Sequence, residues 1–241
     1  VGDYHGWETG ILENEHLRLE YLTQAGPRIV RLIPAGSAEN LLAEVPTINW
    51  ETAHGTFNIF GGHRLWHAPE KFNRTDLPDN DGVVVDKIEN GVHLSRSADQ
   101  SGIAKAISIQ LDPNAAKVTL KHILRNDNKW PVELAPWAIT QMRLGGTALF
   151  PQQTESLDTD GLLPNRSLVL WTYARWDDSR FQPAANAIRI KGESQPDAFK
   201  MGMMNRHGWL GYVVGDYFFR KSFTPQPELP HLDSGCNSEI Y

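Results

Sequence analysis

The sequence predicts an all-β protein built as an antiparallel β-sandwich, and three observations predict it. Apolar residues recur with a period of two, turn signals fall at short intervals between those runs, and no long amphipathic helical pattern interrupts them. Side chains alternate across a strand, so a strand with one buried face shows its apolar residues at every second position. Ile103, Lys105, Ile107, Ile109 and Leu111 share one such face, and Val118, Leu120, His122 and Leu124 share the next.

The elements follow in order. Leu17 to Leu22 and Arg28 to Ile33 come first, then Val83 to Ile88 and Val92 to Ser97, joined through Asn90-Gly91, a dipeptide suited to a tight hairpin. Asp112-Pro113-Asn114 separates the strands that begin at Ile103 and Val118. Val132 to Ile139, Leu168 to Thr172, Ala187 to Lys191, Trp209 to Val214 and Tyr217 to Phe223 extend the series, and Glu239-Ile240-Tyr241 reads as the start of another strand. This spacing implies meander-type antiparallel pairing. Ala68 to Asp81 and Gln152 to Asn165 carry Pro, Asn and Asp without periodicity and read as long loops, the usual carriers of binding groups.

A chain of 241 residues is long enough to bury a substantial core, and all-β sandwiches of this length form single domains. Hydrophobic residues at 40% against 22% charged argue for a globular chain. The net charge of -6 comes with no basic run to track a phosphate backbone, so no nucleic-acid partner is expected. The longest apolar stretches, such as Trp209 to Val214, fall far short of the roughly 20 residues of a membrane helix, so a soluble protein with no membrane partner is expected. One cysteine, Cys236, excludes an internal disulfide; this suits a cytoplasmic protein and equally a secreted one without bridges. Val1 is neither a methionine nor the start of a signal peptide, which fits a processed or trimmed N-terminus. None of these features bears on oligomeric state.

Functional side chains are densest in Gly61 to Glu70, GGHRLWHAPE. The paired glycines permit a sharp turn, Arg64, His63 and His67 offer donors to hydroxyl or carboxylate oxygens, and Trp66 can stack on a sugar ring. On a strand His63, Leu65 and His67 face one side and Arg64 and Trp66 the other, so the five converge only if the strand twists or ends there. The spacing of His63 and His67, with Glu70, brings two imidazoles together on a helical face and only more loosely on a strand, and Pro69 and the missing helical period argue against a helix; no metal and no cofactor are expected. His122, on an apolar strand face, reads as a core histidine bonded to a neighbour. Trp137 suits a stacking platform and a core position equally, and Trp171, Tyr173 and Trp176 of WTYARW lean towards core packing. No G-x-S-x-G elbow and no phosphate-binding glycine loop is present, while hydrolysis by a carboxylate pair stays open.

Four stretches together resemble the galactose mutarotase-like superfamily, specifically an uncharacterised family within it: Asn40-Leu41-Leu42 after GPRIVRLIPAG, then FGGHRLWHAPE, HILRNDNKWPVELAPWAIT and HGWLGYVVGDYFFRKSF. The resemblance spans nearly the whole chain and implies one mutarotase-like supersandwich domain over residues 1–241, lacking its last C-terminal strands. It implies a small-molecule sugar or oligosaccharide as ligand. Mutarotases of this kind open a sugar ring with a general-acid histidine and a general-base glutamate. Trp137 stands at the position matching that histidine, and the glutamate's late strand follows the motif that Glu239-Ile240-Tyr241 begins.

Three readings result. The first is a carbohydrate-binding or carbohydrate-processing protein whose groove is lined by His63, Arg64, Trp66, His67, Glu70 and Trp137, with Trp171 and Glu239 as further substrate-binding candidates. The second is an aldose or hexose epimerase with His63 or His67 as acid and Glu70 as base. The third is a noncatalytic interaction module whose aromatic clusters serve a protein interface.

Overall fold

The computed structural model describes residues 1–241. The chain forms two compact units, Val1–Arg143 and Leu144–Tyr241, each with its own β core. In the first unit the strands are β1 (Gly2–Tyr4), β2 (Trp7–Glu13), β3 (Leu17–Leu22), β4 (Arg28–Pro34), β5 (Glu44–Thr52), β6 (Gly55–Gly61), β7 (His63–Ala68), β8 (Val83–Ile88), β9 (Gly91–Arg96), β10 (Ile103–Leu111), β11 (Val118–Asn126) and β12 (Ala135–Thr140).

These strands make an antiparallel β-sandwich. A six-stranded sheet in the order β1-β2-β3-β4-β7-β12 faces a four-stranded sheet in the order β11-β10-β9-β8. The core between them is what the period-two pattern requires. Leu19, Tyr21, Ile29 and Leu65 from the first sheet meet Val92, Leu94, Ile107 and Ile109 from the second, each burial favouring the folded state by about 1.5–3 kcal/mol. A second buried cluster, Tyr4, Leu22, Ala25, Val30 and Phe60, lies apart from that core. Phe57 and Phe60, both fully buried, belong to the β5–β6 hairpin.

The glycine pair does what its position suggests. Gly61 and Gly62 have φ of 95° and 71°, and a Cβ on either would stand 2.0 Å from a carbonyl oxygen, that of Ala43 or of Ile29. Only glycine lets the chain leave β6 and enter β7 beside β4 at that distance. Asn40 is likewise structural. Its side-chain oxygen accepts from the Leu32 and Leu42 amides, and its nitrogen donates to the Val30 carbonyl and to Glu44.

The second unit contains β13 (Thr147–Pro151), β14 (Val169–Leu170), β15 (Phe181–Pro183), β16 (Ala187–Lys191), β17 (Met201–Met203), β18 (Trp209–Val214), β19 (Tyr217–Ser222) and β20 (Ser238–Ile240), with a tight left-handed turn at Leu232–Gly235, where Asp233 and Ser234 have positive φ. A five-stranded antiparallel sheet, β15-β16-β13-β18-β19, contributes Phe150, Ile188 and Ile190 to a core shared with Met201 and Met203 of the three-stranded sheet β14-β17-β20. No helix is long and apolar enough to cross a membrane.

Two expectations need adjustment. The strand expected from Val132 begins only at Ala135; Pro136 lies inside it, which its place at the sheet edge allows. The aromatic run after Leu170 leaves the sheet and passes through turns, so alternation no longer buries its rings.

Candidate functional site

β7 presents two chemically different faces. His63 and His67 point into the sandwich, where they are 4% and 2% exposed. One ring nitrogen of His63 meets the Thr140 hydroxyl at 2.8 Å and its Nε2 meets His122 Nε2 at 2.7 Å. Two Nε2 atoms at that distance share one proton, so the pair ties the six-stranded sheet to β11. His122 is thus the bonded core histidine that its strand position predicts.

His67 has a buried Nε2 with no hydrogen-bond partner. Burial, with Lys105 and Arg74 nearby, pushes its pKa down to about 4, against a weaker upward pull from Asp99. Asp99 and Lys105 form a buried ion pair of 3.0 Å, and Ser101 donates both its amide and its hydroxyl to the same carboxylate. Glu70 follows the strand as an exposed residue of the Ala68 to Asp81 loop.

The outer face of β7 carries Arg64 and Trp66. Trp66 is directly opposite Trp137 across the β7–β12 pair, with ring centroids 5.4 Å apart in an edge-to-face arrangement. Phe57 approaches Trp66 at 5.9 Å and Trp50 approaches Phe57 at 5.0 Å, so four aromatic rings run in a row. Trp66 and Trp137 are partly exposed and Trp50 is exposed. The Arg64 guanidinium lies 4.3 Å from the Trp66 ring centroid.

Arg64 is paired in register with Arg28 of β4. The two guanidinium groups are 4% and 0% exposed respectively, a costly arrangement that the loop after β7 partly compensates. Arg28 forms a 2.7 Å ion pair with Asp79 and donates to the Ile59 carbonyl at 2.6 Å. Arg64 has less: one bond of 3.1 Å to Gln141, with Nε and Nη1 buried and unpartnered. Burial and then the charge of Arg28 push its pKa down to about 9, with Asp79 and Asp76 pulling the other way. Asp76, partly exposed, is raised above the usual carboxylate range by burial, although Arg64 and a bond from Trp50 lower it.

The proposed groups therefore separate. Arg64, Trp66 and Trp137 come together on the outer face, His63 and His67 on the inner one, and Glu70 beyond both. Trp171 and Glu239 belong to the second unit. There Lys200 stacks 4.0 Å over Trp171 and pairs with Glu239 at 2.9 Å. Burial first, then the Asp233 charge, raise the Glu239 carboxyl against that ion pair. No three His, Cys, Asp or Glu side chains gather in a metal-binding group.

Sequence reasoning did not single out Arg28, Phe57, Asp76 or Asp79. The two aspartates lie in the loop whose composition marks it as a carrier of binding groups, but nothing local distinguishes them from Asp81. Arg28 reaches the site through strand pairing with Arg64, and Phe57 through packing of the separate β5–β6 hairpin against Trp66. Comparison of the chain with protein-family models, curated proteins and solved structures finds no match.

Proposed function

We propose that the chain is a carbohydrate-binding or carbohydrate-processing protein of the galactose mutarotase-like kind, with its sugar site on the outer face of β7 and β12. One observation carries this reading: buried, unpartnered donors on Arg64 lie against a row of partly exposed indole rings. Buried N–H groups without partners are uncommon and call for an oxygen acceptor. A sugar supplies hydroxyl oxygens for such donors and an apolar ring face for Trp66 and Trp137. Asp76 adds a carboxyl that can accept from or donate to a hydroxyl.

The epimerase reading draws its support from Asp76. Burial keeps this carboxyl protonated to higher pH than an ordinary aspartate, which suits a proton donor. Its partner in a two-proton mechanism is not among the inward-facing histidines of β7.

The test is a titration with neutral mono- and oligosaccharides followed by tryptophan fluorescence, using Arg64→Met and Trp66→Ala variants. Saturable quenching that both substitutions remove is the expected result. Quenching unchanged by either substitution, or no response to any sugar, refutes the assignment. Polarimetry on sugars that bind, with Asp76→Asn beside the wild type, separates binding from mutarotation.

A further inference from the structure

We propose a second, independent ligand site in the second unit: a cleft of about 450 Å³ that takes a monosaccharide acid, its carboxylate on Arg166 and its apolar ring face on Trp176. The volume lies within the ordinary range for small-molecule sites. Leu168, Phe181, Ile188 and Met203 provide an apolar floor. Trp176 forms a wall and is 67% exposed.

An indole so exposed is useful for binding when its base is rigid, because little freedom is then lost on contact. That condition is met. The Trp176 ring stands edge-on to Phe181 at 6.0 Å. Arg180, buried, clamps Asp178 through two bonds of 2.9 and 2.7 Å and spends another donor on the Asp197 carbonyl at 2.7 Å. Arg175 clamps Asp177 in the same way, at 2.8 and 2.6 Å. The rigidity of the segment that carries Trp176 thus rests chiefly on the buried Arg180–Asp178 clamp, the Arg175–Asp177 pair being solvent-exposed.

The cleft's charge selects the ligand's charge. Arg166 is the only charged residue lining it, and its one bond is a long one, 3.3 Å, from Nη1 to the Gln153 carbonyl. The remaining guanidinium donors suit a carboxylate, which accepts two parallel bonds from such a fork. Gln152 lies beside it, buried, its amide nitrogen in contact only with the Met203 sulfur at 3.5 Å. That amide, with the Ser167 hydroxyl, supplies polar partners for ring hydroxyls. The preceding loop orders itself: Asn165 donates to the Gln153 and Glu155 carbonyls, and the Asp158 carboxylate accepts from the Leu162 and Leu163 amides. Arg166 therefore projects from a structured segment.

The experiment is calorimetric titration of the full chain with galacturonate, galactose and benzoate, repeated on Arg166→Gln, Trp176→Ala and, as a control in the first unit, Trp66→Ala. The signal that Trp176→Ala removes defines this site. Within it, galacturonate is expected to bind about tenfold more tightly than galactose, the difference expected of one charge-assisted contact. Arg166→Gln is expected to abolish that preference, and Trp66→Ala to leave it intact. Equal affinity for the acid and the neutral sugar, an Arg166→Gln variant that still prefers the acid, or galacturonate binding lost in Trp66→Ala but kept in Trp176→Ala overturns the proposal. Tighter binding of benzoate than of galacturonate overturns it too, in favour of a flat aromatic acid.

Discussion

Replacing His67 with phenylalanine should remove a defined part of the protein's acid sensitivity. The imidazole is 2% exposed and its Nε2 has no partner, so folding strips it of water and returns nothing to a proton. Its pKa falls from 6.5 to about 4. Above pH 6.5 the group is neutral in both the folded and the unfolded chain and contributes no pH dependence. Between 6.5 and about 4 the unfolded chain binds a proton that the folded chain refuses, so stability falls as the pH falls. A separation of about 2.5 pH units at 1.36 kcal/mol per unit makes the full loss about 3 kcal/mol, and roughly 2 kcal/mol is gone by pH 5. The assay is urea unfolding of wild type and His67→Phe at pH 7.5 and 5.0, with tryptophan emission reporting the transition. Subtracting one protein from the other cancels groups common to both, the His63–His122 pair included. The variant should gain roughly 2 kcal/mol relative to wild type on moving to pH 5. An identical stability difference at both pH values would refute a neutral, desolvated His67.

Other substitutions test the same framework. Asp79→Ala leaves the Arg28 guanidinium, 0% exposed, without its carboxylate, and should cost about 3–5 kcal/mol in urea unfolding; Arg28→Met with Asp79→Leu should recover much of that loss. Gly62→Ala drives a Cβ to 2.0 Å from the Ile29 carbonyl at φ 71°, and should lower stability by more than about 2 kcal/mol, read as a falling thermal midpoint. Cys236 is buried, and burial, then the Glu239 and Asp233 charges, push its thiol up to about 12; it should resist alkylation at pH 8 in the folded chain and react at once in urea. Rapid modification of the folded protein would contradict that environment.

The strands legible in the sequence are those with one buried face or a continuous apolar run. Ile103–Leu111 and Leu17–Leu22 were expected at the bounds the structure has. β5 was not, because EVPTINWET is largely exposed and the burial of its hairpin rests on Phe57 and Phe60 of the partner strand. β7 was legible only as a conditional strand. HRLWHA carries polar groups on both faces, so neither shows an apolar signature, although alternation alone gives the division of His63, Leu65 and His67 from Arg64 and Trp66 that the structure has. WTYARW misled because adjacent aromatic residues look like core, whereas a turn sends Trp176 outward and Trp171 under Lys200.

The division of β7 also explains why the richest motif in the sequence does not form one site. A strand has two faces, and a motif with chemistry at every position must divide it between them. Of the inner histidines, His63 links the sheets by its bond to His122, while His67 packs neutral beside the Asp99–Lys105 pair. That packing fixes the strand. The outer residues gain from the rigidity, since Arg64 and Trp66 keep their positions relative to Trp137 without support from a ligand. The burial that lowers the Arg64 pKa is a cost to stability, which the oxygens of the proposed sugar ligand would relieve. On this argument a bound sugar should stabilise the first unit by more than its contacts with the tryptophans alone provide, and the excess should vanish in Arg64→Met.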